Sequence, residues 1–214
     1  MPKLEVTGIP LERIWENGGP LMWVLAALSV LTLALFIYLL FAHRRGAIAP
    51  LAQVSDIAKA IEKGDVDEAY RLAERRPSAF AHLVLAGLTA KMSVPAGRDA
   101  KVGAAIETEG GHIAERLMNG VEYLSDIAAI APLVGLLGTV LGMFETFHSI
   151  SSELEAGIRF QALSRGVSQA IITTVFGLVV AIPALAAHAF FRRRAARRIS
   201  QLESLGVDLE RVLS

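Results

Sequence analysis

Three long apolar runs, separated by stretches of mixed polarity, set the plan of this chain: Pro20 to Ala42, Ile127 to Phe144 and Gly166 to Ala187. None of them contains Asp, Glu, Lys, Arg or His. Each is close to the ~20 residues that a helix rising ~1.5 Å per residue needs to cross a hydrocarbon core, so three membrane helices are predicted. The first run is too long for a cleavable signal, has Glu12, Arg13 and Glu16 before it and Arg44 and Arg45 after it, and reads as a permanent span. Between the first two runs the signals are helical. Gly64 has the character of a helix C-terminal cap, and Asp65 followed by Glu68 that of a capping box. Pro77 and the Ser93 to Gly97 segment break the pattern. The segment GDVDEAYRLAER has the form of half a helical repeat, but no second copy follows, and a small helical domain is expected rather than a solenoid.

From Ala104 to Phe147 only Gly110, Gly111, Gly120 and Pro132 interrupt the helical pattern, and from Phe160 to Leu213 only Gly166, Gly177, Pro183 and Gly206 do. The second and third membrane helices are therefore expected to run on beyond the bilayer. In the tail, Ile199, Leu202, Leu205, Leu209 and Val212 recur at three and four residues and give an apolar face for partner helices, from the same chain or a neighbour. The expected fold class is an all-α membrane protein with three transmembrane helices and a small helical cytoplasmic domain. The expected boundaries are a periplasmic segment 1–19, a first span 20–42, a cytoplasmic domain 43–126, a second span 127–147, a periplasmic loop 148–165, a third span 166–191 and a cytoplasmic C-terminal helix 192–214.

The spans differ in character. The first is Leu, Val and Ala with only Ser29 and Thr32 as polar atoms, which suits a helix facing lipid. The second places Gly135, Thr139, Gly142 and Thr146 along one face, and Gly138 and Gly142 stand at the four-residue spacing that lets helix backbones approach closely. The third carries Ala170, Thr174, Gly177, Ala181, Ala184 and His188 at steps of three and four. Because these two spans run in opposite directions, Thr139 and Thr174 are expected at the same depth to within ~5 Å. Pro132 and Pro183, expected helix-kink positions, each free a backbone carbonyl that a neighbour or water must satisfy. Two readings stand side by side. Such stripes mark tight packing, with each threonine bonded into its own preceding turn. They also suit a polar, partly wet interior.

Composition agrees with the membrane reading: 53% apolar residues among 214, and a mean hydropathy of +0.49. The absence of cysteine removes disulfide and thiol chemistry. Net charge is zero, so charge is informative only by location. Arg44, Arg45, Arg116 and the cluster Arg192, Arg193, Arg194, Arg197 and Arg198 flank the spans on one side, predicting a periplasmic N-terminus and a cytoplasmic C-terminus. The same arginines are candidates for anionic phospholipid headgroups. Proton transfer through a membrane needs a titratable group or a water chain near its middle, and the spans supply no such group; if this protein passes protons, the carrier must come from another chain. His148 and His188 fall at helix ends, as interfacial histidines do, and Asp126 stands at the inner end of the second span, either at a proton exit or as a solvated edge charge.

The segments APLVGLLGTVLGMFETF, GVSQAIITTVFGLVVAIPA and GGPLMWVLAALSVL resemble the ExbB, TolQ and MotA proton-channel family, most closely its ExbB and TolQ branch. The resemblance implies a bacterial inner-membrane motor subunit that forms a homopentamer around an ExbD-like or TolR-like single-span partner, whose membrane aspartate carries the proton. The work passes to a TonB-like or TolA-like protein. By motif position Thr139 and Thr174 match the family's pore-lining threonines, and Gln169 stands where many members of the branch carry glutamate. Glu145, expected within ~5 Å of Gln169 in depth, is a candidate to supply the acidic site that Gln169 lacks.

Rival readings are a sodium-driven or flagellar-type stator, disfavoured because such proteins have a fourth span and a longer insert, and a non-conducting scaffold. An intramembrane enzyme is disfavoured because the second and third spans offer no serine near a histidine at mid-depth. No catalytic residue, metal, cofactor or nucleic acid is expected.

Overall fold

The computed structural model describes residues 5–6, 9–10, 19–42, 48–93, 100–151 and 156–213. Apart from an antiparallel pairing of β1 (Glu5–Val6) with β2 (Ile9–Pro10), the described secondary structure is helical: α1 (Leu21–Ala42), α2 (Leu51–Glu62), α3 (Val66–Arg75), α4 (Ala79–Ser93), α5 (Ala100–Ser151) and α6 (Ala156–Leu213). The all-α architecture expected from the sequence is present. Helices α1, α5 and α6 each contain a stretch long and apolar enough to cross a membrane. Pro132 and Pro183 lie within α5 and α6 without ending them. Arg44 and Arg45, expected to flank the first span, fall outside the described residues.

The chain divides into two units, one of residues 1–36 and 122–188 and one of residues 37–121 and 189–214. The first is built on the apolar stretches. Met22 and Leu25 of α1, Ile127 and Ala131 of α5, and Val180, Ala181 and Ala184 of α6 form its buried cluster, with Leu28, Leu35, Ile172 and Phe176 packed against it. The opposite faces of these helices expose Trp23, Leu33, Leu133, Val140, Phe144, Ile182 and Leu185, as a lipid-facing surface does. Thr32 of α1 is buried and donates to the carbonyl of Leu28 at 2.8 Å, so its hydroxyl is satisfied within its own helix.

The second unit has a core of Ile57, Ala69, Ala73, Phe80, Leu83, Val84, Leu88, Ile106, Ile113, Leu202, Leu209 and Leu213, drawn from α2 through α6. Its helix ends follow local chemistry. At the end of α2, Gly64 takes φ +76, its N–H donates to Ile61 at 2.9 Å, and the Asp65 N–H donates to Ala60 at 3.0 Å, the pair of bonds of a Schellman motif. Asp65 then caps α3 by accepting from the Glu68 N–H at 3.0 Å. Only that half of the capping box is formed, because the Asp65 N–H is already committed to α2 and the Glu68 carboxylate pairs with Arg71. A buried clasp closes the α2–α3–α4 turnings. The Gln53 amide donates to the carbonyls of Leu72 and Arg76 and accepts from the Ser78 hydroxyl at 2.8 Å, and Ser78 in turn caps α4 by accepting from the Ala81 N–H at 3.1 Å. At the far end, Lys91 of α4 donates to the carbonyl of Leu213.

Candidate functional site: the glycine and threonine seam of α5 and α6

Within the first unit, α5 and α6 run antiparallel with their small residues face to face. The glycines leave no side chain to hold the helices apart, and the fit is close enough to read atom by atom. A Cβ added at Gly135 would lie 2.9 Å from the carbonyl oxygen of Thr173 and 3.4 Å from the Cα of Gly177. One added at Gly177 would lie 2.8 Å from the oxygen of Ala131, and one at Gly142 3.1 Å from the oxygen of Gly166. At each of these points the hydrogen that replaces a side chain faces a carbonyl of the opposite helix, a contact worth ~0.5–1 kcal/mol. Ala170, Ala181 and Ala184 continue the seam as buried residues.

Threonines fill the remaining notches. Thr173 is 1% exposed and seats its Cβ against Gly138, where an added Cβ would come within 2.6 Å of it. Thr146 is 2% exposed and its Cβ stands 3.1 Å from where a Cβ on Gly166 would be. Both hydroxyls are satisfied inside their own helices, Thr146 donating to Gly142 at 2.7 Å and Thr173 to Ala170 at 3.0 Å. The sequence pattern does not mark Thr173 or Gly166 as packing positions. The signal that points to them is the adjacent pair Thr173 and Thr174: only one can point into a seam, and the small-residue stripe runs through the other.

The expected pathway residues fall on the seam's flank. Thr174 is half-buried and donates across the helix boundary to the Gly135 carbonyl at 3.4 Å. Thr139, also half-buried, returns its hydroxyl to the carbonyl of Leu136 at 2.6 Å. Gln169 is half-buried beside the N-terminal turn of α1, while Glu145 and Asp126 are exposed. The Phe144 and His148 rings stack at 6.3 Å between centroids. Of the basic cluster, which belongs to the second unit, Arg192, Arg193 and Arg197 are exposed, Arg194 and Arg198 are partly covered, and Arg198 donates to Gln201 at 2.8 Å. Among the described residues no group of three or more His, Asp or Glu side chains is placed to hold a metal.

A layer of this kind holds hydroxyl donors and acceptors at mid-membrane with no ionisable side chain of its own. Its hydroxyls can donate to and accept from a polar group brought against the seam.

The profile of the MotA/TolQ/ExbB proton channel family matches residues 75–204. The chain is 33% identical over 163 residues to the biopolymer transport protein ExbB of Xanthomonas campestris pv. campestris, an alignment covering 75% of this chain and 63% of that relative's length. It is 32% identical over 200 residues to the putative biopolymer transport protein ExbB-like 1 of Synechocystis, covering 91% of this chain and 75% of that protein. With the Tol-Pal system protein TolQ of Haemophilus influenzae it shares 35% identity over 89 residues, 42% of this chain and 36% of the relative.

Proposed function

The chain belongs to the MotA/TolQ/ExbB proton channel family, a family of transport proteins, and is a multi-pass inner-membrane protein; on that premise we propose that it is the channel-wall subunit of a proton-driven motor of the ExbB and TolQ kind. Copies of the chain, five by resemblance to its relatives, surround a single-span ExbD-like or TolR-like partner that brings a membrane aspartate. Proton flow through that aspartate moves the partner, and a TonB-like or TolA-like protein carries the work across the periplasm. The N-terminus lies in the periplasm and the C-terminus in the cytoplasm, because the arginines after α1 and along α6 mark the cytoplasmic side.

Thr139 and Thr174 are the residues proposed to meet the guest carboxyl. The observation that carries this reading is the Thr174 hydroxyl, which reaches the Gly135 carbonyl only at 3.4 Å in a seam without ionisable side chains. A bond that long is weak and readily exchanged for a shorter one to a carboxyl group. Thr139 donates to Leu136 and keeps lone pairs with which to accept from a protonated carboxyl. Glu145 and Asp126, exposed at the two ends of the charge-free stretch of α5, are proposed as the outer and inner edges of the pathway.

The test is proton flux in liposomes carrying the protein with its single-span partner. The double variant Thr139→Val and Thr174→Val keeps shape and deletes both hydroxyls. It is expected to assemble normally and lose roughly tenfold in flux, the equivalent of a hydrogen bond of ~1.4 kcal/mol. Full flux in that variant removes both threonines from the pathway. No flux in the unaltered pair, with the complex intact, identifies the protein as a non-conducting scaffold.

A further inference from the structure

Gly19, immediately before Pro20 and α1, joins a positive φ to a close side-chain neighbour. Its φ of +67 lies in the left-handed region that side chains disfavour, and the end of the Gln169 side chain occupies the place a side chain on Gly19 would take. A Cβ there would strike the Gln169 amide nitrogen and stand 3.2 Å from Cδ and 3.9 Å from Cγ. Gly19 also opens the helix, its carbonyl accepting from the Met22 N–H at 3.2 Å, and Met22 and Leu25 are each 1% exposed just beyond it. The glutamine is tied inward too. Its backbone carbonyl accepts from the Thr173 hydroxyl at 3.1 Å, and Thr173 is the side chain seated against Gly138 of α5. One short path of contacts therefore joins three helices: Gly19 before α1, Gln169 and Thr173 on α6, and Gly138 on α5.

We propose that Gln169 is a positioning residue, a clasp between the N-terminal turn of α1 and α6 that holds Thr173 in its notch and Thr174 at its place on the seam's flank. The side chain suits the task by length and by charge. The first N–H groups of any helix lack partners within it, so a polar end is well tolerated there, and a neutral amide avoids placing an ion at the edge of an apolar layer. A residue that looks, by its sequence neighbourhood, like part of an ion route is in this reading a fastening for the span that faces lipid. The contact itself is independent of the channel reading; only the flux measurement rests on it.

The chain has no cysteine, so a thiol pair introduced by Gly19→Cys and Gln169→Cys has no background. In membranes holding the assembled protein, a short thiol-to-thiol cross-linker followed by mass spectrometry is expected to join these two positions within one chain, and not the control pair Gly19→Cys and Val179→Cys. Absence of the first cross-link overturns the clasp, whatever the flux. In the reconstituted complex, Gly19→Ala is expected to lower flux several-fold by driving the amide out of its seat. Adding Gln169→Ala in that background should cost little more, because the clasp is already broken. Gln169→Met, which keeps length and shape without an amide, should retain most of the flux. Multiplicative losses in the double variant, together with a Gln169→Met variant as impaired as Gln169→Ala, would show that the amide acts on the ion and overturn the positioning role. A complex that is cross-linked as expected but never conducts refutes the channel reading and leaves the clasp standing.

Discussion

Helices α5 and α6 carry glycines in both units, and the two stretches do not use them alike. In the first unit Gly135, Gly138, Gly142, Gly166 and Gly177 meet carbonyls, glycine Cα atoms or a threonine Cβ, and the seam closes. In the second unit Gly103, Gly110, Gly111 and Gly206 line a groove of about 670 Å³, walled by Leu83, Ile106, Leu202 and Val207 and rimmed by Glu107, Glu203 and Glu210. A Cβ added at Gly111 would meet nothing within 4 Å, and one at Gly110 would meet only Leu83 Cδ2, at 3.7 Å. The residue type is the same; what faces it differs. Glycine draws two helices together when the opposite helix offers backbone or a small side chain. Around Gly110 and Gly111 no opposite backbone comes close and the missing side chain leaves open space, whereas Gly103 and Gly206 in the same groove face the Glu210 carboxyl group and the Ile106 side chain.

The sharpest break of this comparison is a large side chain in the closed seam. Gly138→Leu puts branched carbon where Thr173 already sits, and neither helix can retreat without parting Gly135 from Gly177 and Gly142 from Gly166. We expect loss of the assembled protein, read as absence of the oligomer by native gel or light scattering in detergent. The matching change in the open stretch, Gly111→Leu, should leave assembly intact. If both variants assemble alike, closeness at Gly138 is not what holds the first unit together.

How much of this was legible beforehand follows from the same contrast. Long charge-free runs announce helices directly, since both length and composition point the same way, and the stop at Gly64 followed by the start at Asp65 is local chemistry that needs no tertiary information. The facing of individual residues is different. Thr173 and Thr174 are neighbours of identical type, and only the rotation of α6 against α5 decides that the first is buried and the second half-exposed. Gly166, placed by sequence at the edge of a span, takes part in the seam because Thr146 reaches it from the antiparallel helix. The contact of Gln169 with Gly19 joins positions 150 residues apart and depends on a left-handed glycine that composition does not reveal.

Smaller in effect, and confined to the second unit, is loss of the Gln53 clasp. Gln53 is 4% exposed and serves two carbonyls and one hydroxyl, so Gln53→Ala leaves the Arg76 carbonyl and the Ser78 hydroxyl without their buried partner. An unsatisfied buried polar group costs ~1–3 kcal/mol, and a fall in thermal stability of that order is expected for the purified protein. The seam of the first unit should be untouched, so cysteine pairs placed across α5 and α6 there should still cross-link. Simultaneous loss of both would mean that the two units do not fold as separable parts.

The smallest prediction has the opposite sign. Gly111 is exposed in the interior of α5 and lacks any neighbour that a methyl group would meet, so it incurs the helix penalty of glycine without the packing return that Gly138 obtains. Replacing it by alanine removes the extra backbone freedom of the unfolded chain and should stabilise the protein by ~0.5–1 kcal/mol, seen as a small rise in melting temperature. The same exchange at Gly135, where a Cβ would stand 2.9 Å from a carbonyl, should destabilise. The sign of the change therefore reports, one glycine at a time, which stretches of the two helices are closed. A loss of stability at Gly111→Ala in the assembled complex, with a gain in the isolated subunit, would show that assembly fills the groove.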